Sequence, residues 1–215
     1  MPLKSFIKPA EHLRRYADLP ALLYMLRRKR LSLLSPDSWD DKNDAYFVEL
    51  YREKKCLPTV LALCFTEKGE TYHHWRVFSS GAGGVCIKFH REALLQHLSK
   101  FKGVRFGAAQ YIMMNRLRKE QLAIGDLPFL KRYAFRDESE FRVIYEGTKT
   151  RRETKDFPLP LSCVAKISIS PWAPQALAVA ITETIKSVPD CAELSVGRSS
   201  LIINKEWRRL GANAG

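Results

Sequence analysis

The sequence lacks the cysteine spacing, the long apolar run and the leader segment that mark several classes of protein. Its five cysteines, Cys56, Cys64, Cys86, Cys163 and Cys191, include no CxxC pair, so neither a cysteine-based zinc site nor a disulfide framework is expected. No run of about 18 apolar residues occurs, and a transmembrane helix is therefore not expected. The N-terminal residues lack an uninterrupted apolar segment with a small-residue cleavage site, which argues against a secretory signal. A reducing, cytoplasmic compartment without a membrane partner fits these absences.

Negative charge is also scarce. The chain has 23 acidic residues against 36 lysines and arginines, which gives a net charge of +13 over 215 residues. A field of this sign attracts nucleic acid, nucleotides or other anions. The alternative is a scattered basic surface that serves solubility.

The composition that is present is that of a globular protein, with 46% apolar and 11% aromatic residues. The chain contains no internal repeat and no low-complexity linker. We therefore expect one α+β domain over residues 1–215, built on a mixed β-sheet of about six strands with flanking helices.

Two apolar runs and one capping signal define the main expected elements. Residues 58–66 are almost continuously apolar, which is typical of a central strand buried on both faces. Residues 141–146 are expected to form another central strand. Asp18 followed by Pro20 indicates the start of a helix. Further helices are predicted over 114–122, 127–135 and 175–187, strands over 164–170 and 201–203, and an exposed charged loop over 148–156.

Two groups of basic residues are candidates for contact with nucleic acid. The first, Arg27, Arg28, Lys29 and Arg30, ends the first helix, where positive charge either complements the helix dipole or faces phosphate. The second group lies on the helices predicted after residue 113 and is expected to be exposed. It comprises Arg116, Arg118 and Lys119, with Lys131 and Arg132 further along the chain.

Three aspartates precede the helix predicted over 45–54. Asp44 is expected to cap that helix. Alternatively, Asp40, Asp41 and Asp44 could hold a divalent metal ion, which would favour a metal-dependent nuclease.

The sequence Glu138-Ser139-Glu140 places two carboxylates at the start of a predicted strand. On an extended backbone both side chains point to the same face. One carboxylate could orient a substrate hydroxyl or nucleophile while the other stabilises a developing cation, as transfer from a glycosidic carbon requires. The alternative is a solvated strand end, in which Glu140 and Arg142 pair with their neighbours.

Arg15 and Arg76 are the leading basic candidates for a ligand site. Arg76 lies among aromatic and apolar residues, where its guanidinium could hold a ligand phosphate in a two-pronged geometry or form an internal salt bridge. Trp75 either belongs to the core or stacks on a base. His73 and His74 could act in acid–base chemistry, but adjacent histidines on a strand point apart and would not bind one metal together.

Four segments resemble the bacterial family of unknown function DUF2971. They are LRRYAD, LSLLSPDSWDD, LALCFTEKGETYHHWRVFSSGAGGVCIKF and FRDESEFRVIYE, which together extend over about residues 13–147. The family reads similarly to Phe-Asn-Asp-Pro-Phe-Glu where this chain has SWDDKNDAY, so no role for that loop follows from the resemblance. Relatives look like parts of toxin and phage-resistance systems, which implies a cognate antitoxin or immunity protein as a partner.

The order of these segments is similar to that of ADP-ribosyltransferases. The similarity implies that Arg15 and Tyr16 meet NAD, that Ser79 or Ser80 lies in the middle segment, and that Glu140 is the catalytic carboxylate. The leading hypothesis is an NAD-using transferase that modifies nucleic acid as a toxin or defence effector. A nucleic-acid-binding module without catalysis and a metal-dependent nuclease remain as alternatives.

Overall fold

The structure, a computed structural model, describes residues 10–79, 81–119 and 121–213. Its strands are β1 (His12–Asp18), β2 (Arg30–Leu34), β3 (Thr59–Thr66), β4 (Gly84–His90), β5 (Val104–Ala108), β6 (Gln110–Ile112), β7 (Leu130–Arg132), β8 (Glu140–Gly147), β9 (Thr154–Pro158), β10 (Val164–Ile169) and β11 (Val196–Arg198). Its α-helices are α1 (Leu19–Arg28), α2 (Lys42–Lys54), α3 (Tyr72–Phe78), α4 (Arg91–Leu98), α5 (Met114–Leu117), α6 (Gln175–Lys186) and α7 (Lys205–Ala212). Short 3₁₀ helices include Ile124–Phe129 and Tyr133–Glu138.

Nine of these strands form one mixed sheet, so the predicted α+β class is confirmed while the expected number of about six strands is too low. The order is β11-β10-β4-β1-β3-β2-β9, with β8 paired to β3 and β5 paired to β8. A separate parallel pair joins β6 to β7. Among the additional strands, β9 and β11 have five and three residues, too short for hydrophobic alternation to show them.

The sheet divides at β3. β8 pairs with β3 over its full length, from Thr59 opposite Gly147 to Thr66 opposite Glu140. β1, in contrast, meets β3 at Arg14 and Thr66, and β2 meets it at Leu34 and Ala62. Because β1 diverges from β3 after one residue pair, the sheet opens between the two strands, and the opening lies beside the start of β8.

The predicted central strand over 58–66 is confirmed as β3, which is buried on both faces. Leu61, Leu63 and Phe65 belong to the main core, into which α1, α4 and α6 also pack. Val60 and Ala62 belong to a second core on the opposite face, beneath α2. This placement explains why β3 lacks polar–apolar alternation.

The predicted start of α1 and the predicted helix over 175–187 are confirmed. The Asp18 carboxylate accepts a hydrogen bond from the Ala21 backbone N–H at 2.8 Å, and Pro20 lies in the first turn. Lys29 then ends the helix in a left-handed conformation with φ of 50°. Within the described part of the chain, no helix has the length and apolarity needed to cross a bilayer.

Several predicted elements are wrong. The helix predicted over 127–135 is a 3₁₀ segment, then β7, then a second 3₁₀ segment, because Pro128 has no N–H to donate inside an α-helix. The helix predicted over 114–122 is shorter than expected, since α5 ends at Leu117. Residues 201–203 do not form a strand, and part of the predicted loop over 148–156 is β9, which pairs with β2 and buries Phe157.

Two local predictions near the sheet opening are also wrong. His73 and His74 lie on α3 rather than on a strand, since the Thr71 hydroxyl caps the helix by accepting from the His74 backbone N–H. Helix α2 begins at Lys42 with Asp41 as its cap. Asp44 therefore lies inside the first turn and is buried.

Candidate active site

A cleft of about 420 Å³ occupies the opening of the sheet between β1 and β3. Its walls come from β1, the loop before α2, the end of β3, α3, and the segment that runs from β7 into β8. These parts are distant in sequence and meet because β3 carries β1 on one edge and β8 on the other. The cleft thus brings Arg14 and Arg15 of β1 to the same cavity as Glu138 and Glu140.

Arg15 and Tyr16 form the β1 wall of the cleft. Arg15 follows the last residue pair that joins β1 to β3, and its Nη1 donates to the Cys64 carbonyl at 3.5 Å. Burial lowers the pKa of this guanidinium below its ordinary value. Among the described residues no carboxylate pairs with Arg15 at ion-pair distance. A partly desolvated guanidinium without a protein carboxylate is suited to an anionic ligand.

Opposite this wall, three carboxylates converge on two cations. Arg142 grips Glu140 with two hydrogen bonds, Nε to Oε1 at 2.7 Å and Nη2 to Oε2 at 2.8 Å. Lys131 Nζ lies 2.9 Å from the second Glu140 oxygen and also binds Glu138. Asp44 binds the Arg142 guanidinium and lies 3.6 Å from Lys131 Nζ. The cluster is almost dry, with Arg142 fully buried and the Glu140 side chain 5% exposed.

The two glutamates have pKa values displaced in opposite directions. Burial alone would raise the pKa of Glu140, but the Arg142 and Lys131 charges outweigh it and lower the value to about 2. For Glu138, burial dominates over Lys131 and the pKa is raised. Glu140 is therefore a fixed anion, whereas Glu138 more readily takes up a proton.

The backbone reason for this convergence differs from the prediction. Glu138 ends a 3₁₀ segment and Ser139 is left-handed, with φ of 43° and ψ of 53°, so the two glutamates do not share one extended strand. Lys131 brings the two carboxylates together instead. The turn is fixed by Thr66, whose hydroxyl donates to the Glu138 carbonyl at 2.6 Å, and by Tyr111, whose hydroxyl accepts from the Glu140 N–H at 2.7 Å.

Aromatic rings complete the cleft. Tyr16 stacks on His74 with ring centroids 5.7 Å apart, and Phe78 lies 5.8 Å from the same imidazole and is 40% exposed. His74 Nε2 lies 3.0 Å from the Glu138 carbonyl oxygen, and burial lowers the pKa of the ring. Trp39 covers the Arg142 guanidinium at 5.0 Å. The cleft thus has aromatic rings, including Phe78 and Trp39, between the Arg15 side and the side that carries Glu138 and Glu140.

Other predicted ligand residues lie away from the cleft. Trp75 is fully buried and donates through its indole N–H to Glu70, so it belongs to the core and cannot stack on a base. Arg76 packs over the rings of Trp172 and Tyr72. Ser79 donates to the Trp75 carbonyl at the end of α3. Ser80 lies outside the described residues.

Of the predicted basic groups, Lys131 lines this cleft and the other members do not. Arg27 and Arg28 end α1, Lys29 caps it and pairs with Asp190, and Arg30 begins β2. Arg116, Arg118 and Lys119 lie in α5 and the turn after it. Their possible contact with nucleic acid stays a prediction.

The aspartate loop lines the cleft, but its members have separate partners. Asp41 caps α2 through the Asn43 N–H, and Asp44 binds Arg142. Asp40 is exposed. No group of three His, Cys, Asp or Glu side chains in the described residues is arranged to hold a metal ion. The donor set that the nuclease alternative requires is therefore not formed by these aspartates.

Lys131 is the main site residue that sequence reasoning missed, because it was assigned to the exposed face of a helix. Its side chain is 9% exposed and lies between Glu138 and Glu140. Arg142 was named as a neighbour of Glu140 but not as the centre of a buried cluster. The signal that could have indicated this cluster is the presence of Lys131 and Arg142 on either side of Glu138 and Glu140 in the sequence.

Comparison with known proteins gives distant structural similarity. No protein-family model matches the chain, and a search of curated proteins finds no match. Among solved structures, the chain is similar to Thermus sp. 2.9 DarT in complex with ADP-ribosylated ssDNA, with 10% identity, a TM-score of 0.48 and coverage of 88% of this chain and 94% of that one. The same protein with carba-NAD+ gives 9%, 0.47, 90% and 97%, and with NAD+ it gives 11%, 0.45, 88% and 94%. Similarity at this level assigns neither a family nor a ligand to this chain.

Proposed function

We propose that the chain is an NAD-using transferase that moves ADP-ribose from nicotinamide to an acceptor. The observation that carries the proposal is the cleft itself, which brings Arg15 and Tyr16 of β1 to the same cavity as Glu138 and Glu140. The sequence independently predicts a cofactor role for Arg15 and Tyr16 and a catalytic role for Glu138 and Glu140.

The cleft has the size and the donor set for a dinucleotide. A volume of about 420 Å³ lies within the range of ordinary ligand pockets. Arg15 offers a guanidinium to a pyrophosphate, and Phe78, which is 40% exposed, offers a ring surface to a base. Glu138 and Glu140 offer carboxylate oxygens to which ribose hydroxyls could donate.

The carboxylates supply complementary chemistry. Glu140, held as an anion by Arg142, stabilises positive charge that develops on the ribose when the bond from C1′ to the nicotinamide nitrogen breaks and its electron pair leaves with nicotinamide. Glu138, whose pKa is raised by burial, accepts the proton of the acceptor oxygen or nitrogen as that atom bonds to C1′. With water as acceptor, the same steps hydrolyse NAD.

Calorimetric titration with NAD and a nicotinamide-release assay test this proposal. Arg15→Ala is expected to abolish measurable NAD binding. Glu138→Gln is expected to keep binding but slow nicotinamide release by about 10²-fold or more, the usual contribution of a general base. Arg76→Ala and Asp137→Asn are matched controls, since neither side chain lines the cleft, and both should behave as wild type.

Absence of NAD binding by the wild-type protein would overturn the proposal, as would full activity of Glu138→Gln.

The toxin or defence role implied by the resemblance to DUF2971 predicts growth arrest when the chain is expressed in a bacterium. Arg15→Ala should relieve that arrest, whereas Arg76→Ala should not.

A further inference from the structure

Three cations stand in line on the sheet beside the cleft. The strand register places Lys166 of β10 opposite Lys88 of β4, and Lys88 opposite Arg14 of β1. Residues directly opposite one another in a sheet project to the same face, where like charges destabilise the pairing. No carboxylate of the described chain forms an ion pair with any of the three. A bound anion would relieve this repulsion.

A second cavity, of about 760 Å³, lies at the β10 and β11 end of this row. Arg14 and Lys166 line it together with Arg198 and Arg208. Glu70 is the one carboxylate of its lining, and both of its oxygens accept hydrogen bonds, from Ser168 at 2.6 Å and from Ser199 and Trp75. The cavity therefore keeps a clear excess of positive charge.

An exposed indole stands at the rim of the same cavity. Trp207, on α7, is 79% exposed although it lines the cavity beside Arg208. The Asn204 side chain accepts from its backbone N–H at 2.9 Å and so fixes the start of the helix that carries it. An aromatic face within a cationic groove is the usual arrangement for stacking an unpaired base next to its phosphates.

The cationic row continues to the catalytic carboxylates. Arg14 lies opposite Thr66 of β3, and Thr66 lies opposite Glu140 of β8. Because neighbouring strands lie about 4.8 Å apart, the backbones of Arg14 and Glu140 are separated by two such spacings, about 10 Å. Arg14 lines both cavities, so a chain held in the second cavity has a short path into the cleft.

We infer that the basic groove, formed by Arg14, Lys88, Lys166, Arg198, Arg208 and Trp207, binds single-stranded nucleic acid and presents it to the cleft as the acceptor. The acceptor role rests on the proposed function, whereas binding does not. The single-stranded form follows from Trp207, because a duplex keeps its base faces stacked and would leave the indole without a partner. The groove differs from both basic groups that the sequence suggested.

Fluorescence anisotropy with short labelled oligonucleotides, in the absence of NAD, tests this site. Replacing Lys88 and Lys166 together by Gln should reduce the slope of log affinity against log salt concentration by about 0.7 for each lysine. Trp207→Ala should weaken binding about tenfold through lost stacking. The control replaces Lys54 and Lys55 by Gln, since these exposed cations lie at the end of α2 and line neither cavity.

The inference is overturned if the control weakens binding as much as the groove variants, because attraction would then come from the net charge alone. It is also overturned if a duplex binds as tightly as single strands, if nothing binds, or if vesicles of anionic lipid bind in place of oligonucleotides. Parallel titrations with DNA and RNA of one sequence identify which sugar the groove accepts. If oligonucleotides bind with the expected pattern but NAD does not bind, the inference about the groove stands and the proposed transferase function fails.

Discussion

Replacing Glu140 by Gln should destabilise the fold as well as remove a candidate catalytic charge. The Glu140 carboxylate binds both Nε and Nη2 of Arg142, which is fully buried, and it also binds Lys131. Breaking a buried pair by removing one partner costs about 3–5 kcal/mol, because the remaining charge stays buried without compensation.

The pH dependence gives an independent magnitude. The pKa of Glu140 falls from an ordinary 4.5 to about 2 in the folded protein, since Arg142 and Lys131 outweigh the effect of burial. A depressed carboxyl pKa stabilises the fold above the unfolded value, and this stabilisation is lost as pH falls from 4.5 towards 2. The displacement corresponds to about 3 kcal/mol at pH 7, of which about 1 kcal/mol remains at pH 3.

Urea unfolding followed by tryptophan fluorescence at pH 7 and pH 3 measures both quantities. Glutamine resembles the protonated acid, so the free-energy difference between wild type and Glu140→Gln should shrink from about 3 kcal/mol to about 1 kcal/mol. The matched control is Glu49→Gln, which removes a carboxylate that Arg52 also grips with two hydrogen bonds, but on the surface. The control should cost less than about 1 kcal/mol at both pH values.

Equal destabilisation by the two substitutions would refute the reasoning, since burial of Arg142 would then contribute nothing. A difference that does not change between pH 7 and pH 3 would refute the assignment of the depressed pKa. Either result would also remove the argument that Glu140 is a permanent anion in the cleft.

Three further predictions concern single contacts. Lys131→Met should raise the pKa of Glu138, since Lys131 opposes the effect of burial there. The acidic limb of a pH–rate profile for nicotinamide release should then move to higher pH, and an unchanged limb would exclude Glu138 as the proton acceptor. Asp18→Ala should cost about 1 kcal/mol in urea unfolding because it removes the cap of α1, whereas Asp18→Asn should cost little. Gly103→Ala should lower the melting temperature measured by circular dichroism, because φ is 82° and the added Cβ would lie 2.5 Å from the Glu146 carbonyl oxygen; an unchanged melting temperature would contradict this.

The elements that sequence patterns predicted correctly are those whose signal is local. The apolar run of β3 reflects burial on both faces, and Asp18 with Pro20 marks the start of α1 through contacts within one turn. Glu138 and Glu140 were also paired from the sequence alone, and both bind Lys131, while their role in chemistry stays a prediction. None of these inferences required knowledge of which segments meet.

The elements that were predicted wrongly depend on distant partners. β9 and β7 are short strands held by β2 and β6, so neither carries a hydrophobic period of its own. The sequence alone could not show that Asp44 pairs with a buried arginine instead of capping a helix, because its partner Arg142 lies 98 residues away.

The site follows the same division. Residue types and spacing indicated carboxylate chemistry and a basic partner, since both are properties of side chains and their immediate neighbours. Arg15 and Glu140 line one cleft, Lys131 is buried, and a row of cations runs from Lys166 to Arg14 because of the strand order around β3 and β4. Strand order is set by the packing of the whole sheet, and no short stretch of sequence encodes it.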